Sequence, residues 1–547
     1  MYFRMGGSVV GAVAFATMLS GCSAVPPVDP GARSVDVTTI PFADPDVANP
    51  LRGQYQNLLT GLFPQENPAQ NRYPAWPSAG DASTRISWRD LQPLDPRTVP
   101  NEAPYEARFD FSKIDEALAR YAGQGGRLTL RIYSYNSCCN KFYPNNTNIA
   151  VPDWLALIPG TTRDFEHDGI KQVVPDWNNE DYLAYFEQLL AELGRRYNKD
   201  ERLSIFEFSG YGDFSENHIA YLRDELASPG PSLEDSERRL GYLSQFRDQS
   251  ITARSIRRLV EANLGAFPDT QVVAAPGNPE IMRQLFADES VGPATRRPVG
   301  IRADCLGVQT PLPAWADDED SVYVTSDEPL VSTMRARFST APVVTEWCQL
   351  PAGTGRGAYY EKGLRDTVDY HVSMTSSVGF PDQNAVQPME PGLFALWART
   401  NKFAGYRYSV AAGSPRFDSE RESEWIEARW INFGAAPAFE DWRIEYEVAD
   451  AAGNIVRRTG SELAPVSMVV EQSLDSIDDE PSPSTARETV RIDRSGLAAG
   501  QYTVTAGMAW NEHKPGGTHR VDLPPMTLAR PGRDAAGQYP IATFSVP

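Results

Sequence analysis

The chain has 547 residues and a net charge of −21, from 51 Lys+Arg against 72 Asp+Glu. So acidic a surface repels phosphate backbones and anionic lipid, which argues against any nucleic-acid partner. The length allows two or three domains, and 11 Trp, 23 Tyr and 23 Phe suit a large core with some aromatic surface.

Arg4 is the one charge ahead of an apolar run from Ser8 to Met18. At about eleven residues the run is too short to span a membrane and suits a secretory h-region. Leu19-Ser20-Gly21-Cys22 follows and resembles the bacterial lipobox. The resemblance implies a signal peptide over 1–21, a lipid on Cys22 and export to the cell envelope. Ser23, where Asp would retain the protein at the inner membrane, implies the outer membrane in a Gram-negative cell. Residues 22–48 are rich in Pro, Val and Asp without periodicity and read as a flexible tether. No later apolar stretch reaches eighteen residues, so the expected membrane contact is the lipid alone.

From residue 49 to about 415, β-rich runs alternate with helical ones. The expected strands are Gln54–Leu58, Arg85–Trp88, Leu128–Tyr133, Leu203–Phe208, Gln271–Ala275, Gly300–Ala303, Val343–Glu346 and Tyr370–Met374. Ser112 can cap a helix with Ile114, Leu118 and Tyr121 on one face. Asn179 opens a second, with Leu183, Phe186, Leu190 and Leu193 at helical spacing, and Ser255 to Phe267 repeats the pattern. Eight alternating units imply an α/β class and a (β/α)8 TIM barrel. An open doubly wound sheet is the rival, but no Gly-rich turn follows the first strand, so no dinucleotide cofactor is expected.

Near residue 420 the period changes to two. Glu424–Asn432, Trp442–Val448, Thr489–Ile492, Tyr502–Trp510 and Ala542–Val546 read as strands with no helix between them. The expectation for 420–547 is a small all-β sandwich, with Asp475–Ser484 an exposed acidic loop.

Besides Cys22 the chain holds Cys138, Cys139, Cys305 and Cys348, in no zinc or redox spacing. Outside the cell a disulfide becomes plausible. The expectation is a bond at the upper rim of the barrel, from Cys138 or Cys139 to Cys305 or Cys348.

Side chains at the carboxyl ends of barrel strands face the active site. The fourth strand runs into Tyr211-Gly-Asp-Phe-Ser-Glu-Asn-His218, and the seventh ends at Glu346. Glu216 and Glu346 are therefore candidates for a catalytic carboxylate pair, the equipment of glycoside hydrolysis. A Glu is also, ordinarily, a surface or salt-bridging residue. His218 is a candidate to bind Glu216 or a sugar hydroxyl, and Arg131 to pair with a carboxylate. Trp88, Tyr133, Trp347 and Trp397 are candidate sugar platforms, each equally explicable as core. Asp213 is a second candidate acid. No His/Asp/Glu group has metal-ligand spacing in sequence, and no nucleophile elbow is present.

Acids at the ends of strands four and seven resemble the clan A glycoside hydrolases. The chain is also similar to an uncharacterised bacterial family of barrel proteins related to that clan. The shared features run Asn49-Pro50-Leu51-Arg52-Gly53, Trp88-Arg-Asp-Leu-Gln-Pro93, Phe109-Asp-Phe-Ser-Lys-Ile-Asp115, Leu128-Thr-Leu-Arg-Ile132, Pro152-Asp-Trp154, the Tyr211–His218 segment, and Gly405-Tyr-Arg-Tyr408. The resemblance covers about residues 49–410. It implies a retaining enzyme with Glu216 as acid/base, Glu346 as nucleophile and a carbohydrate substrate. Two departures stand out. Ser215 precedes the acid where many clan members have Asn, and Ser-Glu-Asn-His stands where the related family reads Gly-Glu-Trp-His. The alternative reading is a non-catalytic glycan-binding or envelope-assembly lipoprotein on the same barrel.

Overall fold

Alternation along each strand decides the architecture. In Val343-Val-Thr-Glu-Trp347, Val344 and Glu346 share one face and Val343, Thr345 and Trp347 the other. A strand with apolar residues on both faces and a charge at its end belongs in a closed, helix-covered sheet. The computed structural model has that sheet. It describes residues 28, 32–35, 47–58, 81–123, 125–137, 146–167, 169–219, 250–291, 297–319, 328–382, 389–470, 473–479 and 482–547.

Eight strands close a parallel barrel: β1 (Gly53–Asn57), β2 (Ala82–Ser87), β3 (Leu128–Tyr133), β4 (Leu203–Glu207), β5 (Gln271–Ala274), β6 (Gly300–Leu306), β7 (Val343–Trp347) and β8 (Met374–Ser376). Strand β8 pairs with β1, Met374 opposite Gly53, and completes the circle. The eighth strand lies later than the sequence suggests, because Tyr370 still caps the preceding helix and His371 takes a positive φ. The second strand stops at Ser87, whose side chain accepts from Asp90 N and starts a helical turn at Trp88.

The helical layer includes α1 (Ser112–Ala122), α2 (Glu180–Tyr197), α3 (Ala253–Ala266), α4 (Pro279–Val291), α5 (Glu328–Ala336), α6 (Arg356–Asp369) and α7 (Pro391–Phe403). Asn179 caps α2 as expected, accepting from Asp181 N and Tyr182 N. Helix α3 begins before Ser255, because Thr252 is its cap. These two helices pack at the closest possible range. A Cβ on Gly194 would stand 2.3 Å from the Ala266 carbonyl oxygen, so only glycine fits there. A three-stranded sheet (Thr147–Ile149, Thr162–His167, Ile170–Pro175) is inserted between β3 and α2.

Beyond the barrel come two antiparallel sheets. One joins β9 (Tyr408–Ala412), β10 (Arg416–Asp418), β11 (Ser423–Asn432) and β14 (Ser484–Asp493); the other joins β12 (Trp442–Ala449), β13 (Ile455–Gly460), β15 (Gly500–Trp510) and β16 (Tyr539–Val546). One core holds Ile426 and Trp430 of the first sheet together with Tyr446, Val504 and Phe544 of the second, as in a sandwich. Part of the expected tether is paired rather than loose. Arg33 and Ser34 add an antiparallel strand beside β16, opposite Thr543 and Ala542, and Val28 bridges to Arg416. The free edge of β16 offers the backbone partners that make this pairing favourable.

The sandwich docks on the amino-terminal end of the barrel. Lys514 Nζ donates to Asp200 O and Leu203 O at 2.9 Å and to Thr270 Oγ1 at 2.7 Å. All three lie at or just before the starts of β4 and β5. The Arg127 guanidinium, just before β3, lies 4.9 Å from the Trp510 ring centroid. The opposite, carboxyl-terminal mouth is left to carry the site.

Candidate active site

Inward-facing positions fill the barrel in layers. Tyr55, Ile205, Val273, Val344 and Met374 make an apolar layer. One step nearer the carboxyl ends, the layer becomes polar: Asn57, Arg85, Arg131, Glu207, Arg302 and Glu346. The same alternation sends Trp347 outward against Tyr359 and Tyr360 of α6.

Three guanidiniums and three carboxylates interlock here. Arg131 Nε donates to Glu207 Oε2 at 2.5 Å, and its Nη1 to Glu216 Oε1 at 2.5 Å. Arg302 Nη2 lies 2.6 Å from Glu346 Oε2, with its Nε 3.3 Å from Glu207 Oε2. Arg85 joins the two candidate catalytic acids. Its Nη1 is 3.2 Å from Glu216 Oε1, and its Nη2 donates to Glu346 Oε2. Asn57 Nδ2 adds a contact to Glu346 at 3.4 Å.

Glu207, not Glu216, ends β4. Glu216 reaches the centre from the next loop, which is bent to bring it there. Phe214, Ser215 and Asn217 all take positive φ, as do Gly210 and Gly212, a concentration of strain found at functional sites. A Cβ on Gly212 would meet His218 O at 2.5 Å. Ser215 holds the bend, accepting from Gly210 N at 3.0 Å and donating to Ile132 O at 2.7 Å. The departure from Asn at this position therefore has a structural role. Asn217 Nδ2 ties the loop to Ala275 O at 2.9 Å.

Burial raises the cost of every charge here, and the arginines repay it. Burial pushes the Glu216 carboxyl up, but Arg85, Arg131 and His218 outweigh it and hold it well below the ordinary range. Glu346 is likewise pushed up by burial and brought below its ordinary value by Arg302 and Arg85. Both are ionised at neutral pH. For Glu346 that is the state of a nucleophile. For Glu216 it is not the state of an acid that must deliver a proton.

His218 Nε2 lies 3.5 Å from Glu216 Oε2. Burial lowers its pKa, but Glu216, Asp213 and Asp304 raise it to about 9. Asp213 accepts from Ser137 N at 2.7 Å and from the Ser137 hydroxyl; burial pushes it up to about 6. Asp304, on β6, completes the cluster. Donor atoms of Glu216, His218 and Asp304 lie within 4.8 Å of one another. By type these three could ligate a divalent cation, but Arg131 and Arg302 already face the carboxylates and oppose a second cation. We assign no metal to them.

Of the residues singled out from sequence, Glu216, Glu346, Arg131 and His218 meet at this centre. Tyr133 points inward on β3 and packs on Phe214, ring centroids 5.8 Å apart. The three tryptophans expected as sugar platforms are core residues instead. Trp88 is fully buried against Tyr182 and Phe186. Trp347 lies under α6, and Trp397 packs against Phe380 and Phe394. Cys22, Cys138 and Cys139 lie outside the described residues. The disulfide pairing is corrected: Cys305 bonds Cys348, Cα atoms 4.4 Å apart. Both expected acceptors are thus used by each other, because β6 and β7 are neighbours and end side by side. Sequence reading passed over Arg85, Glu207, Arg302 and Asp304. The signal was present in Ile301-Arg-Ala-Asp304, where charged and apolar residues alternate in period two.

No protein-family model matches the chain, and no curated protein matches it. Solved structures do. Endo-glycoceramidase II from Rhodococcus sp. is similar over 81% of this chain and 99% of its own, at 11% identity and a TM-score of 0.36. The endo-β-1,4-mannanase from Thermotoga petrophila is similar over 84% and 95%, at 10% identity and 0.34. The catalytic domain of the β-amylase from Paenibacillus polymyxa is similar over 59% and 91%, at 12% identity and 0.32. Likeness this distant carries no argument about chemistry. The barrel rests on its own strand order, and the site on its own residues.

Proposed function

We propose that the protein is a glycoside hydrolase, exported and lipid-anchored through Cys22, that cleaves an extracellular or cell-envelope polysaccharide with retention of configuration. The observation that carries this reading is the sharing of Arg85 by Glu216 and Glu346 at the carboxyl-terminal mouth of the barrel. One guanidinium between two carboxylates supports the shorter of the two characteristic separations, about 5–5.5 Å against about 6.5–9.5 Å for inverting enzymes. In this reading Glu346 attacks the anomeric carbon. In the same reading the cluster of Glu216, His218 and Asp304 supplies the proton that the leaving oxygen needs.

The reading is tested with purified Cys22→Ala protein against a glycan panel, with reducing-sugar release as readout and product anomers followed by NMR. Release with net retention is the expected result. Binding without release, from every glycan tried, would favour the second reading, a non-catalytic glycan-binding or envelope-assembly lipoprotein. That reading has one observation in its favour: three arginines already neutralise Glu207, Glu216 and Glu346, as in a structural ion-pair network.

A further inference from the structure

Five carboxyl groups crowd the mouth: Glu207, Glu216, Glu346, Asp213 and Asp304. Four cations face them, counting His218 with Arg85, Arg131 and Arg302. Excess negative charge in a buried cluster is relieved by protonating one carboxyl, and the contacts show which. Glu207, Glu216 and Glu346 each bind two guanidiniums. Asp213 accepts from the Ser137 amide and hydroxyl. Asp304 Oδ1 is buried with no hydrogen-bond partner among the described residues, and its nearest guanidinium nitrogen, Arg302 Nη1, stands 3.6 Å away.

We propose that Asp304 is the proton donor to the leaving oxygen and that Glu216 beside it acts as an ionised carboxylate throughout. The proposal rests on the glycosidase reading and reassigns one role within it. Asp304 is also the most accessible of the carboxyls at the centre, its side chain 18% exposed against 10% for Glu216 and 13% for Glu346. His218 is a poorer donor, because its Nε2 faces Glu216. Around Asp304 stand Glu216 and His218 from the loop after β4, Glu346 from β7, Arg131 from β3 and Arg302 from its own strand. Burial, with Glu216 and Glu346, pushes its carboxyl up to about 7 against the pull of Arg302 and Arg131.

The chemistry balances. A Glu346 oxygen forms a bond to the anomeric carbon as the glycosidic C–O bond breaks, and the leaving oxygen takes the Asp304 proton to depart as an alcohol. Asp304, now ionised, takes a proton from water. The water oxygen bonds to the anomeric carbon, displaces Glu346 and restores the resting state.

The test compares Asp304→Asn and Glu216→Gln in the full chain, on phenyl and 2,4-dinitrophenyl glycosides of a sugar the wild-type protein cleaves. We expect D304N to lose about 10²-fold or more on the phenyl glycoside, which needs the proton, and under about tenfold on the dinitrophenyl one. Its pH profile should lose the fall in kcat/KM above pH about 7. E216Q should slow both substrates alike. The reverse pattern, with the leaving-group dependence in E216Q, overturns the proposal while leaving the glycosidase intact. A wild-type protein that cleaves no glycoside fails the glycosidase reading itself and takes the proposal with it. Infrared difference spectra give a readout apart from turnover. The wild-type spectrum minus that of D304N should show one protonated-carboxyl band that titrates near pH 7, apart from the Asp213 carboxyl near 6 that both proteins keep; identical spectra refute the assignment.

Discussion

Glu207, Glu216 and Glu346 are each held by two guanidiniums, so single substitutions there have two effects, one on charge and one on stability. Replacing Glu346 by Gln removes the attacking oxygen, and turnover should fall to background while the fold survives. Azide should partly rescue Glu346→Gly and give a product of inverted configuration, read by NMR. Arg85→Met is the sharper experiment. Arg85 is shared by Glu216 and Glu346, and without it two ionised groups repel across the mouth. Glu346 then ionises at higher pH, so the acid limb of kcat/KM should move upward. Breaking a buried ion pair costs about 3–5 kcal/mol, to be read from urea unfolding. Arg85→Lys keeps the charge but not the fork, and should recover the stability better than the activity.

Among the elements, strands β6 and β7 are fastened where they meet the site. The Cys305–Cys348 bond spans a sequence separation of 43, which corresponds to about 4 kcal/mol of lost chain entropy in the unfolded state. It also joins the residue after Asp304 to the second residue after Glu346. Replacing both cysteines by serine should cost about 2–4 kcal/mol in unfolding experiments and lower kcat more than it raises KM. The strands were legible from sequence because each pairs apolar alternation with a turn, and Leu128–Tyr133 was placed to the residue. Other things were hidden for physical reasons. Charged residues buried inside a barrel look, in a linear string, like surface charges, and so Arg85 and Arg302 passed unnoticed. Tryptophans near strand ends look like sugar platforms until the alternation of Glu346 and Trp347 is followed to its two faces. The bend that delivers Glu216 depends on positive φ at Phe214, Ser215 and Asn217, which no propensity scale anticipates.

At the scale of the whole molecule, the sandwich and the barrel share an interface in which a buried amine, Lys514, stands beside the Arg127–Trp510 contact and the Arg297–Glu512 ion pair. Lys514 satisfies three oxygens of the barrel floor. Lys514→Met removes that shared donor, although Asp200 O keeps Leu203 N and the Thr270 hydroxyl keeps Asn198 O; the loss should cost about 1–3 kcal/mol. Calorimetry should show one transition in wild type and two in the variant, as the domains uncouple. That the chain holds a barrel and a sandwich was readable from the change of period near residue 420. That they meet at the barrel floor was not, because Lys514 and its partners are about 300 residues apart in sequence.

If Cys22 carries the proposed lipid, the pairing of Val28, Arg33 and Ser34 with the sandwich limits how far the barrel can stand from the membrane. A free run from Cys22 to the barrel at Asn49 would extend to about 90 Å; with Val28 docked, the reach shrinks to about 20 Å. Were Cys22 acylated as proposed, the sandwich would be the domain tied nearest the lipid, since Val28, Arg33 and Ser34 pair with it. In that reading the sandwich would serve as a pedestal for the barrel. Lengthening the segment after Cys22 with Gly and Ser should leave cleavage of a soluble glycan unchanged. Cleavage of a polymer fixed at a set height above the membrane should change with the added length.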